Sequence, residues 1–523
     1  MNTTEHVVWK SDAEPSHRGI SVLGSPVGCD SFVQQHGRDV ALKELPLLAG
    51  IAALDSAQAA WLLLYYCAVP RANHLLRTTP PAQIRSYAEE HDRMVLQSLA
   101  TLLSGEGAGL PEEDQLWVRQ ARLPLRFGGC GLRNSVRTSA AAYWASLADT
   151  LKPLSDRFPN LAASLCHSLE NPLGAPSNLQ AAVAAGHILD SAGMSHRPPW
   201  RSLLRGQRFE QSDGGTPELG EWRHGWQFAG SSALEQHEHQ NLLGALRGRS
   251  SDGPDPGPAR LRSCCGRHGA TWMTAAPTSQ QLRLSSFDMV SALRLRLGLP
   301  INPESSDSMG YRRLADHRSQ RLHARHRGLV AAWRQVFMEA GGHVPRRNVE
   351  RLLRNTHVPG LPPGDMRRLD LVVPGLNVAR GLPLFCDVTC VTVITARGRA
   401  RPGCLTVDGG ALRTAERLNN NTYPEIAASG LGRLCCLGVE VFGRWSSDPV
   451  DLIPKLARER ARGLPERVRV GTRLALQHRW WSLLGTALQR AVVQAATRDV
   501  GEDLTDELLE PIPQLADLPV LSF

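Results

Sequence analysis

The chain has 523 residues, 42% hydrophobic and 21% charged, with 12 Trp, 10 Phe and 6 Tyr. That length allows roughly two to four domains with buried cores, and the aromatic content excludes wholesale disorder. The net charge is +9, and only Lys10, Lys43, Lys152 and Lys455 among the 59 basic residues are lysines; arginine forks suit phosphate oxygens, although a compositional bias of the genome leaves the same skew.

In chain order, residues 42 to 76 repeat apolar positions at helical spacing, with Pro70 closing one helix and a shorter one carrying Leu75 and Leu76. Pro80 and Pro81 open the next helix, and after a turn at 105 to 111 the helical pattern resumes through LWVRQARL. Gly128, Gly129 and Gly131 suit a tight turn before an alanine-rich helix. Residues 20–150 therefore read as a compact all-α unit, behind a short segment at 1–19. Across 151–280 the pattern weakens into an irregular helical region: SDGGTPELGEW is turn-rich, and RGRSSDGPDPGPARLRS reads as a disordered linker.

Residues 281–322 begin with a short helix stopped by Gly298 and Pro300. The architecture then changes at 323–450. A helix presenting Leu329, Val330, Trp333, Val336, Phe337 and Ala340 on one face is followed by the apolar strands RRLDLVVP and LPLFCDVTCVTVI. A helix through GALRTAERLNNNTYPEIAASGLGR and a last strand, LCCLGVEVFGRW, complete an α/β order. Residues 451–523 form a helical C-terminal extension with two arginine-rich helices and an acidic tail. The expected fold class is multidomain, α followed by α/β.

The eleven cysteines contain no C-x-x-C pair and fit neither a zinc framework nor a disulfide one. The first residues lack the apolar core of a signal peptide, and the longest apolar run, 59 to 70, is too short for a bilayer. An intracellular chain, nuclear or cytoplasmic, with no membrane partner is expected. His237 with His239, and His323 with His326, read as solvated pairs on polar helices. Cys386 and Cys390 share a strand face by parity and read as small packing groups.

Two acids stand out in the α/β region. Asp370 follows Arg367 and Arg368 at a strand start, and Asp387 interrupts the next apolar strand. Carboxylates on neighbouring strands can hold a divalent metal such as Mg2+ against a phosphate, with Glu350 as a third ligand. A turn cap or an arginine partner is the structural alternative. The spacing of the acids resembles the PD-(D/E)XK nuclease fold.

The wider run, from HARHRGLVAAW through RRLDLVV, LFCDVT and AERLNNNTYPE to GVEVFGRWS, resembles the restriction-like endonuclease domain of non-LTR retrotransposon proteins. That resemblance implies a PD-(D/E)XK core with Asp370, Asp387 and Glu350 as catalytic and metal-binding residues. It also implies a zinc knuckle just upstream, but no cysteine occurs there, and Tyr311 and Asp316 stand near the positions of a His and a Cys; no structural zinc is expected. Leu369 occupies the family's proline position and Thr389 its lysine position. The following helix offers only Arg413 and Arg417, and arginine, Arg417 included, clamps phosphate but is a poor general base.

Upstream, GISVLGSPVGCDSFV, LDSAQAAWLLLYYCAVPRANHLLRTTPP, AEEHD and LPLRFGGCGLRNSVRTSAAAYWAS resemble the thumb and connection that follow the palm in reverse transcriptases of these elements. The resemblance implies primer–template contacts by Arg71, Arg77, Arg126 and Arg133, to which Arg367 and Arg368 add in the nuclease-like part. No Asp-Asp dipeptide occurs, so polymerase chemistry is not expected. The expectation is a truncated, catalytically inactive retrotransposon-derived protein with weak, nonspecific affinity for DNA or RNA backbone. A Mg2+-dependent endonuclease and a helical interaction scaffold are the alternatives.

Overall fold

The computed structural model describes residues 14–105, 107–194, 196–209, 225–247, 255–316, 320–344 and 350–497. The turn-rich stretch near 212–222, most of the segment at 1–19, part of the expected linker at 248–254 and the acidic tail lie outside the described residues.

The protein is mostly helical with small sheets. It opens on an antiparallel hairpin, β1 (Gly19–Val22) and β2 (Ser25–Gly28), so the unit expected to be all-α starts with strands. Gly24 at φ 83° makes the two-residue turn, which the helical periodicity further along gives no sign of. Then come α1 (Asp30–Ala52), α2 (Ala57–Leu63), α3 (Asn73–Thr78), α4 (Pro81–Ser104) and α5 (Leu116–Ala121). The predicted glycine turn follows, with Gly128 and Gly131 at positive φ, and Asp92 of α4 accepts from the backbone N–H of Ser135 at 2.8 Å to seat α6 (Ser135–Arg157).

The weakly patterned stretch holds real helices: α7 (Pro159–Glu170), α8 (Ser177–Ser191), α9 (Trp200–Leu204), α10 (Trp226–Arg247) and α11 (Gly257–Cys264). The last corrects the linker expectation. Prolines are tolerated in a first helical turn, and in α11 every residue but Arg262 is buried, with Leu261 and Cys264 fully so. Further on stand α12 (Ser286–Leu297), which Gly298 ends in the left-handed conformation as its position suggests, and α13 (Tyr311–Ala315).

α14 (Gln320–Glu339) buries the predicted face, Leu329 to Ala340. After it come β3 (Arg351–Leu352), β4 (Arg368–Leu369), β5 (Leu371–Val373), β6 (Leu384–Val391), α15 (Gly410–Thr422), α16 (Pro424–Ser429) and β7 (Arg433–Glu440). β3 pairs antiparallel with β4, β5 antiparallel with β6, and β6 parallel with β7. The strand expected through RRLDLVVP is interrupted at Asp370. The single helix expected at 410 to 433 is two, because Pro424 forces Tyr423 out of helical geometry.

α17 (Ser447–Ala461) and α18 (Glu466–Thr497) close the described chain. α18 is no appendage. Trp480, Trp481, Leu484, Leu488 and Val492 are buried in a core that runs without a break from α1 and α4 through α12 and α14 to the central sheet. Trp61 of α2 donates its indole N–H to the Met273 carbonyl at 2.9 Å, and buried Arg296 donates to the Gly129 carbonyl at 3.0 Å, tying the N-terminal helices to later segments. No helix among the described residues is long and apolar enough to cross a membrane.

Candidate metal centre

β6 is covered on both faces and reads as a continuous apolar run, with Leu384, Phe385, Cys386 and Val388 buried. Asp387 is the exception. The register Leu371↔Cys386, continued one step, brings Asp370 opposite Asp387 at the break between β4 and β5. The two acids that sequence spacing singled out are thus neighbours across an antiparallel pair.

Each is held firmly. Asp370 is buried, and its Oδ2 accepts from the Val388 backbone N–H at 2.7 Å and lies 3.0 Å from His326 Nε2 on α14. Asp387 Oδ2 accepts from Asn419 Nδ2 of α15 at 2.6 Å and from Thr389 Oγ1 at 3.0 Å. Burial, and next the charge of Asp370, push the Asp387 carboxyl up to about 6 against the pull of those donors. His326 is raised as well, for a different reason: burial disfavours its charge, but the hydrogen bond and charge of Asp370 prevail.

Glu350 joins the group. One ligand atom each from His326, Glu350 and Asp370 lie within 4.8 Å of one another. A cleft of about 710 Å³ opens here, lined by His323, Arg325, His326, Glu350, Thr389 and Arg401 among others. His326, expected to be solvated, is instead half-buried on the acid pair; an (i, i+3) histidine pair near a helix start carries no sign of the strand it will meet. His323 is exposed on the rim of the cleft, and among the described residues no hydrogen bond or ion pair joins it to either acid.

The donor set fits a divalent cation: clustered carboxylates, an imidazole, and beside Asp387 the Oδ1 of buried Asn419, which has no hydrogen-bond partner. Asp370 and Glu350, with His326, stand close enough to share such an ion, and it would neutralise phosphate charge and lower the pKa of a bound water.

The position two residues beyond Asp387 is Thr389, whose hydroxyl donates to Asp387 and has no basic amine to offer. Arg417 is exposed and lies two residues, about 200° of helix, from Asn419, so it points away from the acids. The expected lysine substitute is therefore out of place. No hydrogen bond or ion pair joins Lys455 to Asp370 or Asp387 among the described residues.

The arginines expected on nucleic acid divide into two sets. Arg77 is bonded to Gln227 and lies 3.3 Å from Asp149; Arg126 sits between Phe127 and Phe228 and donates to Ser232 at 2.7 Å. Arg367 is gripped by Asp365 at 2.6 Å and Glu425 at 2.9 Å, each carboxyl held below its ordinary range by the guanidinium. Those three serve internal structure: Gln227 and Asp149, Phe228 and Ser232, and Glu425 reach them from far along the chain, while Phe127 and Asp365 hold them from close by. Arg71, Arg133 and Arg368 are exposed, with Arg368 3.3 Å from Glu350. Tyr311, near an expected knuckle ligand, is buried against Phe442. No family model and no curated protein matches the chain.

Proposed function

We propose that the chain is a retrotransposon-derived protein of the non-LTR reverse transcriptase type, whose PD-(D/E)XK-like domain engages nucleic-acid backbone and has lost efficient hydrolysis. One observation carries the reading. A helix, four short strands, two helices and a strand follow in that order, and they set Asp370 opposite Asp387 with a threonine where a nuclease of this fold places its lysine.

In such a site Asp370 helps to hold a cation, Val388 N–H keeps its carboxylate in place, and Asp387 faces it from the neighbouring strand. Thr389 cannot take a proton from water at neutral pH, so the step that needs a base is the one missing. Exposed Arg71, Arg133 and Arg368 remain as phosphate contacts.

Purified protein with supercoiled plasmid in Mg2+ is the direct test. Little or no nicking, together with duplex binding that weakens as salt rises, is expected. Three phosphate contacts give a slope of about −3 in log K against log salt. Binding indifferent to salt overturns the nucleic-acid reading in favour of an interaction scaffold. Robust nicking that Asp387→Ala abolishes establishes the second reading, a metal-dependent endonuclease, which the imidazole beside Asp370 favours.

A further inference from the structure

We propose that His326, Glu350 and Asp370 form a site for a divalent first-row transition ion, Mn2+ or Zn2+, taken in preference to Mg2+. The inference rests on the nuclease-type reading of this sheet and assigns its ion to a different ligand set from the Asp370–Asp387 pair.

The geometry comes first. Ligands about 2.1 Å from a common ion lie about 3 Å apart when adjacent and about 4.2 Å apart when opposite. His326 Nε2 and Asp370 Oδ2 are already 3.0 Å apart, and the Glu350 oxygen completes a trio within 4.8 Å, close enough for side-chain rotation to finish the job. The three come from α14, the start of β3 and the β4–β5 break, so two rigid elements and a strand edge fix them. Val388 N–H on Asp370 Oδ2 orients that carboxylate as outer partners of metal ligands do. The cleft lined by His326 and Glu350 supplies an entry path.

Chemistry then selects the ion. Mg2+ favours oxygen ligands and keeps most of its water, whereas an imidazole nitrogen beside two carboxylates suits Mn2+ and Zn2+. The positive neighbours include Arg368, 3.3 Å from Glu350, Arg325, whose guanidinium is tied to the Leu314 and Cys390 carbonyls, and Arg401, which lines the same cleft. Arg368 is exposed and free to swing aside.

The test is equilibrium titration of the full chain with MnCl2, ZnCl2 and MgCl2, alongside spin-echo spectroscopy of bound Mn2+. Expected are saturable Mn2+ and Zn2+ binding at least tenfold tighter than Mg2+, and nitrogen modulation from a directly bonded imidazole. Both are lost in His326→Ala and His326→Gln and kept in Asp387→Asn. Equal affinity for Mg2+, absent nitrogen modulation, no saturable binding, or dependence on Asp387 and not His326 overturns it. Wild-type selectivity and the spectrum decide even if a variant fails to fold. Salt-dependent duplex binding in chelator tests the nucleic-acid reading separately, since it needs no ion.

Discussion

Asp387→Asn should stabilise the protein at alkaline pH. In the native state the Asp387 carboxyl is pushed up to about 6, from an ordinary 3.8, by burial and by the Asp370 charge. The native protein therefore holds a proton that the unfolded chain releases, so the contribution to stability is complete below about pH 4 and is lost as pH rises through 6. Carrying the charge above that pH costs about 3 kcal/mol, at 1.36 kcal/mol per pH unit. Asparagine is neutral and nearly isosteric, and its carbonyl oxygen can accept both the Asn419 and the Thr389 hydrogen bonds. Urea unfolding followed by tryptophan fluorescence, in chelator, should give a gain of about 1–3 kcal/mol at pH 8 and almost none at pH 4. An equal gain at both pH values, or a loss at pH 8, refutes the reasoning that two like charges are packed together at a cost. An acid kept in a place where it destabilises the fold is what a functional site looks like.

Glu440, at the end of β7, is pushed up to about 7 by burial, against the pull of Ser263 and Arg444. Its stabilising proton is lost as pH rises from about 4.5 through 7, and Glu440→Gln should remove about 3 kcal/mol of pH dependence in denaturant melts at pH 5 and 8. Thr389→Lys places an ammonium next to Asp387 and is expected to raise Mg2+-dependent plasmid nicking by about a hundredfold over the wild type; no change counts against a nuclease origin for the site. Leu484→Ala, in the fully buried face of α18, should cost about 2–5 kcal/mol in urea unfolding, whereas a dispensable C-terminal extension predicts a negligible loss. Gly443 has φ 114°, and a Cβ there meets the Gly269 carbonyl oxygen at 2.3 Å, so Gly443→Ala should destabilise by about 2 kcal/mol or more in the same assay.

Local pattern carried most of the elements. The amphipathic face of α14, the apolar run of β6, Gly298 at a helix end and the glycines before α6 were all legible because each depends on neighbours within a few residues. Asp387 was conspicuous for the same reason, as a charge in an apolar strand. The acid pair followed from strand adjacency, and β5–β6 pairing places the two acids as the spacing suggested.

What pattern could not carry depends on contacts between residues far apart in the chain. α11 looks like a linker because glycine, proline and charge dominate its surroundings, yet it is buried because α10 and α12 pack over it. α18 has the composition of a basic surface helix, and its rank as a core element comes from the faces that α12, α14 and α17 turn towards it. His326 gained a partner 44 residues away, while Arg77, Arg126 and Arg367 lost their availability to groups that no spacing rule connects to them. Periodicity encodes which side of an element is apolar. Which polar groups meet across two such elements, and so which charges are neutralised, left free or gathered around an ion, is settled when the chain closes on itself.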